Sequence, residues 1–114
     1  MLSIEALKEF GCDADSGLRR CVNSEDFYFK LIKTVPSNEN FNKLYESINS
    51  KKFEEAFQAA HALKGVLSNL SIDPILKPII EITEHLRNKD DIDYSKLVEE
   101  IEINRNKLEK IINK

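Results

Sequence analysis

Apolar residues return every three or four positions along most of this chain, as in Phe41, Leu44, Tyr45 and Ile48, or Leu63, Leu67 and Leu70. That spacing is the signature of helices burying one stripe each. With only 3 Gly and 3 Pro among 114 residues, turn-formers are too scarce to punctuate a sandwich or barrel of many short strands. Leu, Ile, Val and Phe fill 35 positions, enough to form a core and too many for a disordered chain. The length allows one core, so residues 1–114 read as a single domain.

The breaks in the periodicity fall at residues that end helices for physical reasons. Leu2 to Phe10 reads as a short helix closed by Gly11, and Asp13 to Val22 as a second. Ser24 is placed to cap a third, with Glu25 and Asp26 at the positive end of its dipole and Phe27, Leu31, Ile32 and Val35 sharing a face before Pro36. A helix through Phe41–Ile48 follows, and Ser50 reads as the cap of a central helix from Lys51 to Leu70. Asp73 and Pro74 suit the N-cap and first position of the next, with Ile75, Leu76, Ile79, Thr83 and Leu86 inward and Pro78 placed to bend it. After a polar turn over residues 88–93, Leu97, Val98, Ile101, Leu108, Ile111 and Ile112 mark a final helix. Connections this short favour antiparallel neighbours. The expected fold is all-α: an up-and-down antiparallel four-helix bundle over 24–114, with short additional helices in 1–23.

Charge and cysteines narrow the function classes. Seventeen Lys and Arg against 20 Asp and Glu give a net charge of −3 with no basic stripe, which argues against nucleic acid as a partner. Cys12 and Cys21 have no second pair or neighbouring His to complete a zinc site and read as reduced thiols. No segment resembles a secretory leader or approaches 18 consecutive apolar residues, so the expectation is a cytoplasmic protein without membrane contact.

The central helix carries the chemistry. On a wheel advancing about 100° per residue, Ala56, Leu63, Leu67 and Leu70 lie opposite His61, with Ala59, Ala60 and Val66 at the edges of that stripe. Around His61 lie Glu54, Gln58, Lys64, Gly65 and Ser68, and Phe57 sits on the flank near Lys64. The imidazole therefore points to solvent from mid-helix. Gly65, one turn later, weakens a helix interior by roughly 1 kcal/mol relative to Ala, and removing its side chain opens an approach to the ring. Lys64 brings a mobile positive charge suited to phosphate, and Ala59, Ala60 and Ala62 keep the flanks low. His85, which follows Glu81 and Glu84 and has Lys89 one turn on, reads as a solvated side chain.

The segment from Ala59 to Leu70, with His61, Lys64, Gly65, Asn69 and Leu70 at their particular spacing, resembles the phosphoacceptor segment of histidine-containing phosphotransfer (HPt) domains of multistep two-component signalling. The number and order of helices, and a helix preceded by Pro and Ser before the His helix, also fit that family's four-helix bundle. One departure is Ser71, where the family often has Gly; this implies a different helix ending.

The resemblance implies that His61 accepts a phosphoryl group from the aspartyl phosphate of one response-regulator receiver domain and passes it to an aspartate of another, in a relay fed by a hybrid histidine kinase. Lys64 would offset phosphoryl charge and Gly65 would give steric access. Among the polar neighbours the resemblance singles out only Lys64; from their positions, Phe57, Gln58, Ser68, Glu54 and Asn69 are candidate binding residues, with Gln58 or Ser68 able to bond phosphoryl oxygens or the imidazole, while Glu54, Gln58, Lys64 and Ser68 equally fit a solvated face. The implied protein is a monomeric phosphocarrier with no metal or cofactor of its own; Mg²⁺ belongs to the receiver. A neutral solvent-facing imidazole is nucleophilic without a dedicated base. The alternative is a helical adaptor that binds a receiver or kinase domain without being phosphorylated. A di-iron bundle lacks its carboxylates, since Gln58 and Ile82 stand three residues before His61 and His85, and no glycine-rich nucleotide loop marks a kinase.

Overall fold

Backbone capping explains most of the element boundaries. The computed structural model describes residues 1–114 and is all-helical, with α1 (Ile4–Phe10), α2 (Ala14–Arg20), α3 (Glu25–Ile32), α4 (Asn40–Asn49), α5 (Phe53–Leu70), α6 (Asp73–Arg87) and α7 (Ser95–Asn113), and no strand. The side chains of Ser3, Asp13 and Ser24 accept bonds from the backbone N–H of Ala6, Ser16 and Phe27, satisfying donors that each helix start leaves free. Gly11 closes α1 at φ 112°, in the left-handed region that suits glycine.

Left-handed residues that are not glycine also follow other helices: Val22 and Asn23 after α2, and Lys51, Ser71 and Lys89, each at φ 55–56°, at the ends of α4, α5 and α6. At Lys51, Ser71 and Lys89 a pair of backbone bonds closes the last turn, such as Ile72 N–H to Leu67 O at 3.0 Å and Ser71 N–H to Ser68 O at 3.2 Å. This corrects two sequence expectations. Ser50 does not cap the central helix: it closes α4, and α5 begins at Phe53 behind Lys52 with no side-chain cap. Ser71 does not change the helix ending, because it adopts the glycine-like conformation itself. Arg20 makes this tolerable, its Nη1 donating to Ser71 Oγ at 2.6 Å and Ser68 O at 3.1 Å. Asp13 N–H donates to Ser71 O at 3.2 Å.

Helix α5 packs against α4 on one side and α6 on the other, and α6 packs in turn on α7. Phe57, near the start of α5, lies beneath Arg87 at the end of α6, so these two helices run antiparallel. Between α4 and α7, Tyr45 Oη donates to Glu102 Oε2 at 2.6 Å, and the Arg105 guanidinium sits 4.5 Å from the Phe41 ring centre while donating to Pro36 O. The core runs through Leu7, Ile32, Phe41, Leu63, Ile79 and Ile101, all fully buried. The thiols of Cys12 and Cys21 are buried and free. Burial, helped by Asp73, pushes Cys12 up to about 12, which leaves it protonated and unreactive.

Inward faces differ from the sequence expectation in α3 and α6. In α3, Phe27 is 47% exposed, and Tyr28 is fully buried in its place. In α6, Asp73 is already helical behind Ile72, Pro74 occupies the first turn, and the helix runs on through a buried Pro78. Ile82 joins Ile75, Ile79, Thr83 and Leu86 inside, while Leu76 stays half-buried. In α7 only Ile101 and Leu108 are buried; Leu97, Val98, Ile111 and Ile112 are half-exposed.

Tyr28 reaches across to donate its Oη to Leu70 O at 2.8 Å, which fixes the end of α5 to the N-terminal helices. That approach requires Gly17. A Cβ there would stand 2.5 Å from Tyr28 Oη and 2.6 Å from Leu70 O, and a backbone oxygen cannot move aside cheaply. Gly17→Ala is expected to destabilise the fold by about 2–3 kcal/mol. Urea denaturation measures it, and an unchanged midpoint contradicts this packing.

Candidate functional site

The rotation of α5 is set by its apolar stripe. Ala56, Ala60, Leu63 and Leu67 are fully buried, with Ala59 and Leu70 nearly so. The opposite face is left to solvent: His61, Glu54, Gln58, Gly65, Ser68 and Asn69 are exposed, and Phe57 and Lys64 are half-buried. His61 stands near the middle of this 18-residue helix.

His61, Phe57, Lys64 and Gly65 come together within one turn either side of the imidazole. Glu54 and Asn69 lie about two turns away along the same helix, toward its opposite ends. Ser68 presents its hydroxyl outward while its carbonyl accepts from Arg20. Gln58 turns toward α4, where with Asn40, Lys43, Glu46 and Ser47 it borders a polar groove of about 470 Å³.

Neither His61 nor Lys64 has a hydrogen-bond or ion-pair partner within the chain; the six salt bridges all lie elsewhere. An imidazole and an ammonium three residues apart on one helix face are thus both available to an incoming group. The aromatic neighbour of the ring is Phe57, which stacks on it at 5.7 Å between centroids and 17° between planes. Arg87 lies over Phe57 at 5.5 Å from its centre and bonds Glu84 Oε1 at 3.0 Å. Arg87 was not singled out from the sequence. Its i,i+3 relation to Glu84 is visible there, but its seat on Phe57 depends on how α5 and α6 pack.

His85 differs from its expected solvated state. Its Nδ1 lies 2.9 Å from Asp90 Oδ2, and its ring meets the edge of Tyr94. The side chain is half-buried and engaged, unlike His61. No group of three or more His, Cys, Asp or Glu side chains is placed to hold a metal ion.

The three glycines separate structural need from access. Gly11 needs its positive φ, and Gly17 needs its lack of a Cβ for close packing. Gly65 needs neither: its backbone is helical, and a Cβ there would meet nothing within 4 Å. The helix therefore gives up roughly 1 kcal/mol at a position where no internal contact requires it. What the missing side chain provides is open space one turn from His61.

Comparison with protein families, curated proteins and solved structures finds no match. Because position 65 is open, Gly65→Ala is expected to stabilise the protein by about 0.5–1 kcal/mol. Thermal or urea unfolding reads this directly, and a loss of stability would show that Gly65 has a structural role after all.

Proposed function

We propose that this chain is a histidine phosphotransfer protein in which α4–α7 act as an up-and-down four-helix bundle and His61 is the phosphoacceptor. The reading rests on the resemblance of the Ala59–Leu70 segment to HPt domains, and one observation carries it furthest: an unpartnered, exposed imidazole next to a glycine that no internal contact requires. A structural surface histidine has no use for that glycine.

In the proposed reaction the lone pair on Nε2 of neutral His61 forms a P–N bond as the P–O bond to a receiver aspartate breaks. The carboxylate leaves with the bonding electrons, and the imidazole retains its proton on Nδ1. Return transfer to a second receiver reverses these steps. The transition state spreads negative charge over the phosphoryl oxygens, and Lys64, free of any internal ion pair, is available to offset it. The receiver supplies the aspartate and Mg²⁺, so this chain serves as a phosphocarrier with no turnover of its own. Receiver domains and an upstream hybrid kinase are the proposed partners.

His61→Gln keeps a polar side chain on an exposed helical position and is expected to leave helicity and stability within about 0.5 kcal/mol of the parent. It should abolish acid-labile labelling by a phosphorylated receiver. The measurement is transfer from a panel of phosphorylated receiver domains; labelling that persists in the variant would remove His61 from the role. Receiver binding by the parent without any labelling would favour the adaptor alternative.

A further inference from the structure

An exposed histidine on a helix ordinarily samples several rotamers. Side chains on a helix lean toward its N-terminus, and for His61 that direction leads over Phe57, one turn earlier. The two rings are near-parallel, with centroids 5.7 Å apart, in the range where aromatic stacking is favourable. Phe57 is itself held: its body is half-buried against the core, and the Arg87 guanidinium, anchored by Glu84, lies over its ring. On the other side of the imidazole, toward the helix C-terminus, Gly65 leaves open space.

From this asymmetry we infer that Phe57 is a positioning residue for His61, with Arg87 as its clamp. The stack supports the imidazole from the N-terminal side and holds it in one orientation, so a donor group meets the ring from the side that Gly65 leaves open. The inference rests on the phosphoacceptor reading for its purpose, but its geometric content is independent of any partner. Orientation of this kind raises a transfer rate by reducing the time the acceptor nitrogen spends misaligned. The expected size is that of a single aromatic pair, roughly two- to tenfold.

The test uses the full chain, the variants Phe57→Leu, Phe57→Tyr and Arg87→Gln, and phosphoramidate as a small donor whose P–N bond breaks with release of ammonia as His61 takes the phosphoryl group. Two readouts are taken on each: the ring-proton shifts and side-chain couplings of His61 by NMR, and the rate of labelling by phosphoramidate and by a phosphorylated receiver. Phe57→Leu should remove the ring-current shift, average the His61 couplings and slow receiver labelling two- to tenfold. Phe57→Tyr should restore all three. Arg87→Gln, an exposed change that leaves the core intact, should give a smaller effect in the same direction.

Unchanged His61 couplings in both Phe57→Leu and Arg87→Gln would overturn the inference, as would receiver labelling of Phe57→Leu at the parental rate. If the parent is labelled by phosphoramidate and its couplings respond as expected, yet no receiver labels it, the relay reading fails. The orienting role of Phe57 then stands on the NMR arm.

Discussion

The stripe formed by Ala56, Ala60, Leu63 and Leu67, enclosed between α4 and α6, fixes the rotation of α5, and the outward face of the molecule follows from it. Turning the helix far enough to bury His61 would expose Leu63, Leu67 and Leu70 together, at a loss of roughly 5–9 kcal/mol. That is comparable to the whole stability of a small domain. A hydrophobic term with no directional preference of its own therefore aims the imidazole. The far end of the helix is fixed by different means: Tyr28 and Arg20 bond the carbonyls of Leu70 and Ser68, and Gly17 lets Tyr28 come close.

On this frame the site is built largely by leaving things out. His61 and Lys64 have no partners, and the ring has an aromatic support on one side and bare backbone on the other. Such a surface fits the proposed transfer, in which the catalytic groups arrive with a partner, because an internal hydrogen bond or ion pair would have to be broken first. The contrast with His85 is instructive. That ring is bound to Asp90 and packed on Tyr94, which suits a joint between α6 and α7.

Local patterns made much of this legible in the sequence. The caps at Ser24 and Gly11 and the outward direction of His61 depend on residues within a turn or two, and spacing alone exposes them. Spacing alone is a poor guide where distant residues decide. Tyr28 displaces Phe27 from the core because Leu70 O, 42 positions on, offers its hydroxyl an acceptor. Ser71, in a left-handed conformation, is bonded by Arg20, 51 positions earlier, whereas the late start of α5 is a local matter, since the left-handed Lys51 closes α4 first. At the site, His61, Lys64 and Gly65 were readable from one helix, whereas the Arg87 contact to Phe57 required the packing of two.

The central claim is that access to His61, and no internal need, explains Gly65. The most direct measurement is the receiver-to-His61 transfer rate across a series of side chains of increasing size at position 65, with unfolding free energy determined on the same samples. The account predicts that the rate falls steadily with side-chain volume while stability stays at or above that of the parent. A rate independent of side-chain size, in variants that remain folded, would contradict it.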